Sequence, residues 1–263
     1  MKKIKFLAVV LIAQIGISVA DVIKVTEDVI VSKFLWFNVK DSTDFYIPEQ
    51  LDEGAPVLVF LQGGKVDKRH YSNLGEALAK QGVLVAIANH RSLLGQNFTS
   101  QRVMPAVWNH LLARNNQEGT AFYQKVNESR LFVMGHSFGG TAAHNFAAGE
   151  CGIPVCFGKI DVPEAFSGVL LYGFHRVNKA INANVPVQWI QGSLDDLDKA
   201  VQTYEKVGGA EKFFTIVEGA NHFGITNENN PEGAEPDPIE PQIGQDEAMF
   251  IISEAAAEFI LSY

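Results

Sequence analysis

Between residues 56 and 263, short and almost wholly apolar runs alternate with longer mixed stretches. The runs are Val57–Leu61, Val83–Ala88, Leu131–Met134, Gly168–Tyr172, Val185–Ile190 and Phe213–Val217, rich in Val, Ile, Leu and Phe. Strands buried on both faces read this way, because neither face meets water and no polar alternation is required. Tyr71–Gln81, Arg102–Arg114, Thr141–Ala148, Leu197–Val207 and Gln245–Leu261 lie between or after them and are long enough for helices. Strand and helix in alternation predict an α/β fold, a mostly parallel sheet with helices on both faces. Upstream, Ile23–Thr26 and Asp44–Ile47 alternate in character, as antiparallel edge strands do. The segment 226–244 holds four of the ten prolines and several acids, which predicts an irregular loop.

The chain has 263 residues, 47% hydrophobic and 19% charged, with no internal repeat and no linker, so one large core in one domain is expected. Its N-terminus changes that picture slightly. Lys2, Lys3 and Lys5 precede the apolar run Phe6–Val19, which ends in Ser18-Val19-Ala20. A basic start, a short apolar stretch and small residues at the cut describe a secretory signal peptide over residues 1–20, leaving 21–263 as the mature domain. The run is shorter than the roughly 18–20 apolar residues that span hydrocarbon. An exported chain, periplasmic or extracellular, with no stable membrane span after cleavage is therefore expected. Lys and Arg number 21 against 30 acids, a net charge of -9. Removing three lysines and no acid takes the mature chain to -12. A surface so acidic, with no basic run after the N-terminus, excludes nucleic acid as a partner. Cys151 and Cys156 flank the turn-forming Gly152-Ile153-Pro154-Val155. In an exported chain that spacing permits a disulfide, and two reduced, packed cysteines are the alternative.

The chemistry concentrates where predicted strands end. Leu131–Met134 leads into Gly135-His136-Ser137-Phe138-Gly139-Gly140 and then a helical stretch, which is G-x-S-x-G between strand and helix. Small residues at 135 and 139 allow a strained turn that lifts the Ser137 hydroxyl above the sheet edge. The helix start offers the Phe138 N–H to a developing oxyanion. A serine nucleophile needs a base and an orienting acid, which follow it here in the order acid, His. Val185–Ile190 is followed by Gln191-Gly192-Ser193-Leu194-Asp195-Asp196, and Phe213–Val217 by Glu218-Gly219-Ala220-Asn221-His222-Phe223. Asp195 is the expected acid, with Asp196 its direct competitor, and His222 the expected base. His70, His90, His110, His144 and His175 are expected to serve packing or surface roles, and His136 to face away from the Ser137 hydroxyl. A second oxyanion donor is expected from Gln62-Gly63-Gly64-Lys65 after Val57–Leu61, with Gly64 favoured and Gly63 or Lys65 open.

With these stations in place the chain resembles the α/β-hydrolase superfamily over about residues 40–263. Phe60-Leu61-Gln62-Gly63-Gly64 looks like the strand end that carries His-Gly in chlorophyllase-like, dienelactone-hydrolase-like and bacterial polyester-hydrolase-like members, with Gln62 standing where they have His. Tyr71–Ala79 and Ala88-Asn89-His90-Arg91 are similar to the next helix and strand of that branch. Gly192-x-x-Asp195 and Gly219-Ala220-Asn221-His222-Phe223 resemble its acid and histidine motifs. Ser137 departs from dienelactone hydrolases proper, which use Cys. The resemblance implies an α/β-hydrolase fold and an ester hydrolase acting through an acyl-enzyme on a small-molecule or lipid-like ester. Two other functions fit the same residues: an inert binding protein on this fold, or an acyltransferase that uses an alcohol in place of water. The short stretch 149–166 leaves no room for a large lid, so an open pocket walled by His136, Phe138, Trp108 and Phe223 and rimmed by 226–244 is expected. No metal or organic cofactor is required. Glu232, Glu235 and Asp237 lack the spacing of a calcium loop.

Overall fold

The computed structural model describes residues 21–34, 36–49, 54–89, 101–150, 159–175, 185–208 and 211–263. The expected signal peptide, the Cys151–Cys156 pair and His90 lie outside the described residues. Among the described residues eight strands form one sheet: β1 (Val22–Phe34), β2 (Phe37–Pro48), β3 (Ala55–Leu61), β4 (Leu84–Asn89), β5 (Val126–His136), β6 (Phe166–Tyr172), β7 (Val187–Gly192) and β8 (Lys212–Val217). Their order is β1-β2-β4-β3-β5-β6-β7-β8. Strands β3 to β8 pair in parallel, while β2 runs antiparallel to both β1 and β4. The α-helices among the described residues are α1 (Ser72–Lys80), α2 (Val103–Asn115), α3 (Phe138–Ala147), α4 (Leu197–Lys206) and α5 (Gln245–Ser262). Among the described residues no helix is long and apolar enough to cross a membrane.

Two apolar cores flank the sheet, and alternation along each strand feeds both. Val57, Val59 and Leu61 of β3 join Val107 and Leu111 of α2, Phe146 of α3 and Ala200 of α4. Leu58 and Phe60, pointing the other way, join Leu74 and Leu78 of α1 and Ile252, Ala256 and Ile260 of α5. Every residue of β3 and β4 is buried, so the continuous apolar runs match a chain that water reaches on neither side.

Three elements differ from their sequence patterns. β5 begins at Val126, upstream of its apolar stretch: buried Val126 pairs with Ala55, and the register then shifts so that Leu131 faces Val57. α3 begins at Phe138, where Gly139 and Gly140 weaken any sequence signal for a helix. β1 and β2 form one long hairpin from Val22↔Pro48 to Phe34↔Phe37, where short edge segments were expected.

Candidate active site

Gly64, Ser137, Asp195 and His222 sit on turns and loops leaving the C-terminal ends of β3, β5, β7 and β8, and Phe138 opens α3. Parallel pairing puts these ends along one edge of the sheet. Ser137 joins β5 to α3 with φ 53° and ψ -116°, a conformation that costs a non-glycine residue about 1–3 kcal/mol unless its surroundings enforce it. They do. The Ser137 N–H donates to the Tyr172 carbonyl on β6 at 2.9 Å, and α3 lies so close to the sheet that a Cβ on Gly139 would come 2.0 Å from the Leu61 carbonyl oxygen.

Asp195 and His222 are brought together by the adjacent strands β7 and β8, whose register pairs Gly192 with Val217. The two loops are laced: the Ser193 N–H donates to the Val217 carbonyl, the Leu194 N–H to the Ala220 carbonyl, and the Gly219 N–H to Ser193 Oγ. His222 Nδ1 lies 2.9 Å from Asp195 Oδ2, leaving Nε2 as the ring nitrogen available to the cleft. Asp196 takes no part in this pair. It stands at the N-cap position of α4 in a left-handed conformation, without a side-chain capping bond, and faces Lys199 at 3.7 Å. Among the described residues no hydrogen bond joins the Ser137 hydroxyl to His222, although both line the same cleft.

The sequence reading missed His175. It was expected to pack or lie at the surface, yet its Nε2 is 3.1 Å from Asp195 Oδ1, while the Gln191 side chain donates to Asp195 Oδ2 at 3.0 Å. Burial opposes ionisation of this carboxyl, but the hydrogen bonds and charges of His175 and His222 outweigh it and hold the group well below the usual carboxylate range. His175 follows β6 as Asp195 follows β7 and His222 follows β8. The same rule, a polar residue just past a buried strand, marks its position, while its contact with Asp195 depends on the side-by-side order of β6 and β7.

His136 is fully buried beneath the site. Its Nε2 faces the His222 carbonyl at 3.0 Å and its Nδ1 the Tyr71 hydroxyl at 2.9 Å, and that hydroxyl accepts the Gly63 N–H at 2.9 Å. A carbonyl can only accept, so Nε2 carries the proton and Nδ1 accepts from Tyr71. Burial, then the neighbouring His222, push the His136 pKa well down and keep the ring neutral. Burial likewise pushes the Tyr71 hydroxyl far up, against the pull of the Gly63 N–H. This chain commits the Gly63 N–H and leaves Gly64 and Lys65 facing the cleft. Buried Gln62 supports the same loop by donating to the Val66 carbonyl at 2.8 Å and to Asn89 Oδ1 at 3.2 Å.

The cleft is about 490 Å³, with Gly64, Ser137, Phe138, His222 and Phe223 around its floor and Ala234–Ile239 along one rim. Trp108 is not a wall. It sits on α2, 3% exposed, in the core that α2 shares with β3. The rim loop is irregular but well tied. Asn227 bonds the Arg69 carbonyl, Ser72 Oγ and the Asn73 N–H, and Asp237 accepts the His222 N–H at 2.9 Å. Its acids do not converge: Glu232 pairs with Arg69 and Glu235 with Lys65. His175, Asp195 and His222 are the one group among the described residues whose ligand atoms, within 4.8 Å of one another, are close enough for a metal ion. Both imidazoles already bond the carboxylate, on different oxygens, so an ion would have to displace both bonds. No family model and no curated protein matches this chain.

Proposed function

We propose that the chain is a secreted serine hydrolase of carboxylic esters with the α/β-hydrolase architecture. The observation that carries the reading is Ser137, held at positive φ on a strand-to-helix turn and facing a cleft shared with an Asp195–His222 pair. In this reading Ser137 Oγ attacks the ester carbonyl carbon while His222 Nε2 takes its proton. Asp195 fixes the tautomer and balances the imidazolium, and the Gly64 and Phe138 N–H groups receive the oxyanion. Collapse returns the proton to the departing alcohol and leaves an acyl-serine. Water, deprotonated by His222, then releases the acid and restores Ser137. A small or lipid-like ester fits a cleft of this size.

The test is labelling of purified residues 21–263 with a fluorophosphonate, beside Ser137→Ala. One label on Ser137, absent from the variant, is expected, together with hydrolysis of short p-nitrophenyl esters. No label would favour an inert binding protein. Product ester formed faster than acid when an alcohol is added would favour an acyltransferase. Export is tested separately: the mature N-terminus should be Asp21.

A further inference from the structure

The hairpin β1–β2 outruns the sheet that supports it. Among the described residues β2 pairs with β4 from Ser42↔Asn89 to Tyr46↔Val85, and residues 37–41 lie beyond that register, about 17 Å at strand rise. The C-terminal end of β4 belongs to the sheet edge from which the cleft loops leave β3, β5, β7 and β8. The ribbon therefore projects on the same side as the cleft mouth, at the β4 flank. Residues 36–40 are all exposed. At the turn, Trp36 is 80% and Phe37 59% exposed, their ring centroids 5.6 Å apart, with Ile30 and Val39 also exposed along the shaft.

Lower on the hairpin Val29 and Val31 are buried in the core, whereas the exposed rings at the turn gain nothing from burial in the fold. The charges identify a partner. The chain is strongly acidic, yet between Asp28 and Asp41 it carries Lys33 and Lys40 and no carboxylate. Lys40 and Asp28 form only an exposed pair at 3.8 Å, which is weak in water. Aromatic rings at a tip with the exposed Lys40 behind them match the boundary between acyl chains and anionic headgroups.

We infer that the β1–β2 tip docks the protein on an anionic phospholipid surface, inserting Trp36 and Phe37 and holding the cleft mouth toward the lipid. Only the last clause, that the cleft then meets ester-bearing lipid, rests on the proposed hydrolase activity.

The chain supplies its own reporter. Of its three tryptophans, Trp108 and Trp189 are buried and Trp36 alone is exposed. Full-length mature protein would be titrated with vesicles of phosphatidylcholine alone and of phosphatidylcholine mixed with phosphatidylglycerol, following tryptophan emission and co-sedimentation. Binding with a blue shift on the mixed vesicles is expected. Trp36→Ser/Phe37→Ser should weaken it at least about tenfold, and neutralising Lys40→Gln about fivefold. Circular dichroism and thermal melting check that the variants fold. Absence of binding, equal binding to both vesicle types, or binding indifferent to these variants would overturn the inference. So would a blue shift that grows with protein concentration without lipid, alongside a doubled mass, which would make the occupant a second copy. Lipid binding by a protein that hydrolyses no ester would sink the hydrolase reading and leave the docking surface standing.

Discussion

Replacing Asp195 with Asn keeps the side chain's heavy-atom shape and removes its charge, so it isolates what the carboxylate does. With the wrong His222 tautomer favoured and no anion to balance the imidazolium, kcat should fall by about three to four powers of ten. Asp196→Asn, at an exposed helix start facing Lys199, should stay near wild type on the same ester. Equal losses in both variants would remove Asp195 from the role proposed for it. His175→Ala strips the donor from Asp195 Oδ1 and leaves the His222 and Gln191 bonds on Oδ2. Its expected signature is a fall of about tenfold in kcat at unchanged KM, with no further loss in an Asp195→Asn background, since it acts only through that carboxylate. A full additional loss in the double variant would show that it acts elsewhere. The carboxyl titrates lower in the folded chain than in the unfolded one. Its contribution to stability is therefore complete above about pH 5 and is lost as pH falls through the folded value. Melting of wild type and Asp195→Asn from neutral to acid pH should show the gap between them narrowing below about pH 4. A constant gap would mean that the charge is not what stabilises.

At the scale of elements, the rim loop and the turn at Ser137 depend on different physics. Asn227→Ala removes side-chain bonds that tie the loop to Arg69, Ser72 and Asn73, for an expected cost of about 1–3 kcal/mol, read as a lower melting temperature. No change would mean that the other ties, such as Asp237 to the His222 N–H, carry the loop alone. Gly139→Ala is a steric change: its Cβ would collide with the Leu61 carbonyl, so α3 must lift from the sheet. Loss of fluorophosphonate labelling together with a large drop in melting temperature is expected, and a variant that labels normally would refute that packing. The elements that could be read from the sequence are those whose burial is total, such as β3 and β4. The hairpin was half legible, because most of its residues are polar or exposed and its length is set by pairing rather than by hydrophobicity. His175 was hidden for another reason. Its role depends on the side-by-side order of β6 and β7, and a linear reading does not contain that order. The Ser137, Asp195 and His222 stations were legible because each directly follows an apolar run. The exclusion of Asp196 and the commitment of the Gly63 N–H needed the backbone.

On the scale of the whole molecule, the sheet order places the first strand and the last on opposite edges, with β5 and its serine between them. The cleft draws residues from Gly63 to Ile239, and the carbonyl that satisfies His136 belongs to His222, beyond the final strand. Refolding from denaturant should therefore recover helical circular dichroism before fluorophosphonate reactivity, because parallel, long-range pairing is slow. Simultaneous recovery would mean that the late strands dock early. The consequence reaches back to biosynthesis. A chain emerging N-terminus first exposes Ser137 long before β8 exists to bring His222 to it. In the proposed hydrolase the serine would therefore gain its partner only once β8 has docked beside β7.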